Sequence, residues 1–276
     1  MTSRPLPGKV SYSRSAARFR RNATLFLLYA LALAGSAAYL GFDPLLFFRE
    51  FHHVEDILDR AFPPNWSLLW RHSSLYTSLG QTFSIAFLGT LFGGLVALSV
   101  AFLAASNTTP HPVVRWIVRG SLSLLRAIPT FVTMLVAQVA VGIGAFSAVI
   151  AIFIGSVAMF GKLFAEAIET VEPGPGESIT AIGGSRLQAI RYAVLPAAMP
   201  SIIAHWLYAY DINLRQAIAL GVFGGGGIGF EFYLSQKLLR HDNMLALVVV
   251  IVVLISATEW LSDRLRRRFL AGDVLK

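Results

Sequence analysis

Apolar positions in this chain fall in long runs without charge, not in the strict alternation of a half-buried strand. Uncharged stretches cover 22–42, 72–114, 127–161 and 192–210, and a last one, 243–258, ends just before Glu259. A helix that crosses a hydrocarbon core needs about 20 residues, so each run, alone or with snorkelling flanks, predicts a membrane helix. The stretch 72–114 holds one long span that ends near Ala105, where Ser106-Asn107-Thr108-Thr109-Pro110-His111-Pro112 breaks the helix. The stretch 127–161 would measure about 52 Å as one helix, too long for a single span, so Gly142-Ile143-Gly144 predicts a hairpin there. A fifth span is expected from Pro196 to about Val222, with Pro200 still in its first turns, where proline is tolerated. The sixth covers about Met244 to Leu261. The fold class expected is all-α, a polytopic membrane bundle of about six transmembrane helices.

Composition agrees: 55% hydrophobic residues and 14% charged do not make a water-exposed surface, and the mean hydropathy is +0.64. There is no cysteine, which excludes disulfides, thiolate nucleophiles and Cys-ligated metal sites. The net charge of +8 orients the chain in a membrane and implies no nucleic acid. Arg4, Lys9, Arg14, Arg18, Arg20 and Arg21 precede the first apolar run, which is longer than a signal-peptide core, although a cleaved signal peptide is the competing reading. The segment Asp43–Arg71 is net −2, contains the turn-forming Phe62-Pro63-Pro64-Asn65, and reads as an external loop. With six spans and both ends inside, 17 basic residues fall inside and 5 outside, as the positive-inside rule asks. Arg126 and Lys162 then act as snorkelling anchors on one face. The expected organisation is a basic segment 1–22, a first span and external loop 23–74, a core 75–262 with an internal loop 162–195, and a basic tail 263–276.

The internal loop carries the most chemistry. Pro173 and Pro175 end one helix, and Glu177 suits the first turn of the next by complementing its positive end. Ile179 and Ile182 are expected to share a face of a short helix that Gly183-Gly184 closes, able to dock in a partner's groove. The plain alternative is an ordinary amphipathic connector.

Glu177, Gly183 six residues later, and Leu195-Pro196 after a further eleven resemble the EAA loop, E-A-A-x3-G-x9-I-x-L-P, of bacterial ABC-importer permeases. Ser178 and Ile179 replace its two alanines and Ala193 its isoleucine. Glu172-Pro173-Gly174-Pro175, Lys162-Leu163, Phe62-Pro63-Pro64, Arg126-Ala127-Ile128 and Asn213-Leu214-Arg215, with Gly224-Gly225-Gly226-Gly227-Ile228-Gly229, look more narrowly like the permease of phosphonate importers, over roughly 60–270. Related permeases for methionine or quaternary amines share the glycine segment and the Leu-Pro.

The resemblance implies a type I ABC-importer permease fold and a carried phosphorus oxyanion: phosphonate, phosphate or phosphite. It assigns ATPase coupling to Glu177, Ser178, Ile179, Ile182, Gly183, Gly184, Leu195 and Pro196. It implies a second permease copy, two ATP-binding subunits inside and an extracytoplasmic solute-binding protein, in a bacterial cell membrane with surrounding lipid. No G-x-x-x-x-G-K-[ST] occurs, so no cofactor is expected in this chain, and ATP with Mg belongs to the partner ATPase.

Asp211 and Arg215 lie four residues apart inside the fifth span and are expected to pair. Charge at membrane depth is costly, so both are pathway candidates, with His205, Tyr208 and Asn213 as polar lining; a structural ion pair is the alternative. Gly224-x-Gly226-x-x-Gly229 formally matches a dinucleotide fingerprint but follows a membrane helix, so Gly224, Gly225, Gly226, Gly227 and Gly229 read as a hinge or turn. No metal site is expected: His52 and His53 are helical neighbours whose side chains should diverge. No His-Glu-x-x-His or Gly-x-Ser-x-Gly points to a protease. A channel or secondary transporter is the rival of a different class.

Overall fold

Small residues repeat every fourth position on one helix, Gly89, Gly93, Ala97 and Ala101, and its two glycines let a neighbouring helix approach closely. In the computed structural model, which describes residues 13–43, 45–71 and 73–271, that helix is α5 (Ser73–Ala104), and it lies along α8 (Ala145–Glu169). A methyl group on Gly93 would stand 2.5 Å from the Ser156 Cβ, so only glycine permits this approach. Arg4 and Lys9 of the basic N-terminus, and the tail beyond Ala271, lie outside the described residues.

The chain divides into two units between residues 57 and 58. The first holds α1 (Ser13–Tyr39), α2 (Leu46–Arg49) and most of α3 (Phe51–Ala61). Arg18–Tyr39 is long and apolar enough to cross a membrane, and its Phe26, Leu28 and Tyr29 are exposed, as lipid-facing residues would be.

The second unit holds α4 (Ser67–Arg71), α5, α6 (Pro112–Ala127), α7 (Thr130–Val141), α8, α9 (Gly174–Ala181), α10 (Arg186–Ala189), α11 (Leu195–Leu220), α12 (Gly227–Lys237) and α13 (His241–Ala271). α11 crosses α5 and α8 and buries Ile202, Ala209, Leu214 and Ala217. Phe160 and Phe164 of α8 stack at 4.8 Å, and both meet Trp206 of α11. The turn at Asn65 is tied to the start of α13: its amide N–H donates to the Asp242 carbonyl (3.2 Å) and its side chain to Asn243 (2.8 Å). Every described element is helical, five are long and apolar enough to span, and the α6–α7 pair makes six if counted as one.

Three boundaries differ from the sequence reading. The third span is no simple limb of a hairpin, because α6 and α7 meet at 86° across Ile128-Pro129. The residue before proline is pushed to extended dihedrals, and Ile128 adopts them (φ −84°, ψ 120°). The 12 residues of α7 measure about 18 Å, short of a membrane by themselves. The expected break at Gly142-Ile143-Gly144 does form, with α8 starting at Ala145. α8 then runs past Lys162 to Glu169, since its last charges find partners on neighbouring elements. The fifth span starts before Pro196: the helix begins at Arg186, passes through a wide π-helical turn at Ile190–Val194, and continues into α11. A proline ring clashes with the carbonyl four residues earlier, and the widened turn gives room for it ahead of Pro196.

Candidate functional site

α9 begins at Gly174, carries Glu177 in its first turn, and is closed by two hydrogen bonds. The Gly183 N–H donates to the Thr180 carbonyl (3.0 Å) and the Gly184 N–H to the Ile179 carbonyl (2.9 Å). This six-residue closure needs a left-handed residue at Gly183, where φ is +89°. Ile179 and Ile182, expected to share a face, differ in exposure. Ile179 packs on Gly184, whereas Ile182 follows the last helical turn and is 87% exposed. Glu177 and Ser178 are exposed as well, so α9 presents a short polar surface with one apolar tip. Leu195 and Pro196 sit in the helix that follows, whose entry Ser185 and Gln188 cap reciprocally.

Glu169, at the end of α8, gathers the elements around α9. One carboxylate oxygen accepts from the Ser106 N–H (2.6 Å) and Arg115 (3.2 Å), and the other accepts from Arg119 (2.8 Å). Arg119 also donates to the Ala104 carbonyl, Asn107 to Ile168, and Arg186 of α10 to Thr109 (2.6 Å). A carboxylate is unfavourable at a helix C-terminus, and two guanidinium groups offset that here. The arrangement joins the α5–α6 turn, α8 and α10 into one charged brace beside α9.

On α11 the predicted pathway residues separate. Ser201, His205, Tyr208, Ile212, Arg215, Ala219 and Phe223 recur at three- and four-residue steps and form the open face. Asn213 points inward and donates to Thr90 on α5 and Ser156 on α8, both at 2.8 Å. Asp211 and Arg215 do not pair with each other. The buried Asp211 accepts from Ser262 (2.7 Å) and has Arg266 4.0 Å away, while Arg215 forms an ion pair with Glu259 of α13. Residues four apart on one helix can meet, but α13 offers each a partner across the interface, and the nearer partner wins.

The glycine segment breaks the chain between α11 and α12, with φ of +91°, +78° and +70° at Gly224, Gly226 and Gly227. Gln81 and Thr82 of α5 accept from the Gly227 and Ile228 N–H groups at 2.9 Å, and Gln138 donates to the Phe223 carbonyl. Gly225 is buried, and a side chain at Gly229 would collide with the Ile218 carbonyl. The segment is therefore a braced turn.

His52 and His53 lie closer than helical neighbours were expected to: their ring centroids are 4.0 Å apart. His53 also pairs with Glu50 (2.8 Å), because α3 begins at Phe51 and the chain closes over its first turn. Glu50, His52 and His53 hold their ligand atoms within 4.8 Å of one another, and all three are exposed.

Residues 93–271 match the family of binding-protein-dependent transport system inner membrane components. The chain belongs to that family. It is 34% identical over 229 residues to the phosphate-import permease protein PhnE of Mycolicibacterium smegmatis, covering 83% of this chain but 43% of that protein. It is 38% identical over 207 residues to the putative phosphite transport system permease protein HtxC of Stutzerimonas stutzeri, covering 75% of this chain and 72% of that one. Its fold resembles the MetNI methionine ABC transporter in inward-facing conformations, with a TM-score of 0.64 and 20% identity over 74% of this chain and 99% of that one. An amino acid ABC transporter matches at a TM-score of 0.62 and 20% identity, over 73% and 97% of the two chains.

As an inner membrane component of an ABC transporter, the chain is a multi-pass membrane protein with a type I importer fold. Glu259 and Glu169 are the polar residues that sequence reasoning passed over. Glu259 is the first charge after an uncharged run and reads as a span end, yet α13 continues through it to Ala271. Glu169 looks like one acid among four in a loop until α8 is seen to reach it.

Proposed function

We propose that this chain is the permease of an ATP-driven importer for phosphorus oxyanions, namely phosphonate, phosphite or phosphate. The observation that carries the reading is the open face of α11, a helix long and apolar enough to span, which presents Arg215 in line with Tyr208, His205 and Ser201. A charge there is stable only beside water or a counter-ion, and a guanidinium matches oxyanion geometry. The names of the two relatives, one a phosphate importer and one a putative phosphite system, support the same substrate class.

Two copies of the chain enclose the pathway, or one copy and a paralogue. Two ATP-binding subunits carrying ATP and Mg engage α9 from the cytoplasm through Glu177, Ser178 and the exposed Ile182, and a solute-binding protein delivers the oxyanion from outside. Gly183, Gly184, Leu195 and Pro196 shape the loop and the helix that receives its motion. Both termini are cytoplasmic, and the chain catalyses no reaction of its own. Uptake of radiolabelled phosphate, phosphite and methylphosphonate into proteoliposomes holding the complex tests this. It should depend on internal ATP and be indifferent to collapsed ion gradients; ion-driven uptake without ATP would make the protein a secondary carrier.

A further inference from the structure

Arg215 and Glu259 are each 47% exposed, although both lie within the membrane-spanning helices α11 and α13. Half-open charges cannot be left against lipid, so the pair faces water or a polar partner. Arg215 shares an open face of α11 with Tyr208 and Ala219, while Asp211, one turn earlier, is buried against α13 through Ser262 and Arg266. Asp211 is thus already engaged, and Glu259 is the carboxylate that neutralises Arg215.

A guanidinium holds a carboxylate and a phosphoryl group through the same forked donors, so a carboxylate beside an exposed Arg occupies the position a phosphorus oxyanion would take. We propose that Arg215 and Glu259 form a charge-exchange gate, in which a tetrahedral oxyanion displaces the Glu259 carboxylate from Arg215 on passage and Glu259 returns to expel it. This rests on the oxyanion reading above. It adds that Glu259 is a specificity and release residue: neutral or cationic solutes gain nothing by displacing it, and without it an oxyanion would stay bound.

The test measures equilibrium binding of inorganic phosphate to the purified permease–ATPase complex, with uptake by the same complex in proteoliposomes. Glu259→Gln should bind phosphate at least tenfold more tightly than wild type and transport it several-fold more slowly. Glu259→Asp, which keeps the carboxylate, should stay within about threefold of wild type in both. Arg215→Lys keeps the charge without the fork and should bind at least tenfold more weakly at unchanged abundance. Methylphosphonate should compete; competition by a short-chain phosphatidic acid alone would assign the site to lipid and overturn the gate. Equal phosphate affinity in wild type and Glu259→Gln overturns it too. If Glu259→Gln fails to accumulate, unchanged binding by Arg215→Lys does the same. Wild-type uptake is the separate arm: a complex that transports methionine but no phosphorus oxyanion sinks the substrate reading and the gate with it, whereas oxyanion uptake with equal affinities sinks the gate alone.

Discussion

The Asn213 side-chain nitrogen lies 2.8 Å from the Ser156 hydroxyl, and the same amide reaches Thr90, so one residue of α11 ties together α5 and α8. Asn213 is 4% exposed. Interhelical hydrogen bonds in membranes average about 0.6 kcal/mol and reach about 1.7 kcal/mol. Asn213→Leu is expected to destabilise the fold by about 1–3 kcal/mol, because it removes two such bonds and leaves the buried Ser156 hydroxyl without its partner, while the Thr90 hydroxyl keeps its bond to the Ala86 carbonyl. Thermal unfolding of the purified protein in detergent reads this; an unchanged midpoint would return Asn213 to the role of a pathway lining.

The brace at Glu169 predicts a local effect. Glu169→Gln keeps an acceptor for the Ser106 amide but leaves Arg115 and Arg119 without their anion, a loss of about 2 kcal/mol for charge-assisted bonds. Hydrogen exchange should speed up in 105–111 and at the end of α8, with little change in α12. Uniform acceleration across the protein would mean that the brace carries global stability instead.

Gly183 sits at a dihedral that costs a residue with a Cβ about 1–2 kcal/mol. Gly183→Leu should still insert, yet lose most transport and most substrate-stimulated ATP hydrolysis, since the closing turn of α9 is deformed. The paired measurements are membrane abundance and uptake. Normal uptake at normal abundance would count heavily against docking through α9.

The cysteine-free sequence makes a topology test clean. A single cysteine at position 56 should react with an impermeant maleimide added from outside, and one at position 180 should react only after the membrane is opened. Labelling at 180 in intact cells would invert the proposed orientation and remove α9 from the ATPase side.

Span number and the α9 loop were legible because charge-free runs and proline-glycine punctuation act locally, through desolvation and backbone dihedrals. Gly183 is the clearest case: one residue type, one dihedral, one closing turn. What escaped were features decided between helices. Asp211 and Arg215 satisfy the i,i+4 rule, but that rule is blind to Ser262 and Glu259 on a helix some fifty residues further along. His205, Tyr208 and Arg215 share a face with open surroundings, whereas Asn213 is claimed by Thr90 and Ser156, and only packing distinguishes them. The α6–α7 bend was not read: Pro129 lies at its corner, inside an uncharged run that looked continuous.

The wide turn at Ile190–Val194, followed by Pro196 and Pro200, gives the long helix a soft joint near one end. Beyond that joint α11 is a lever. From Leu195 to Arg215 its arm is about 30 Å at 1.5 Å per residue, so a swing of about 5° moves Arg215 by about 3 Å. That is the difference between a guanidinium in contact with Glu259 and one a water molecule away, so a rotation of that size at the joint would be enough to part the two charges.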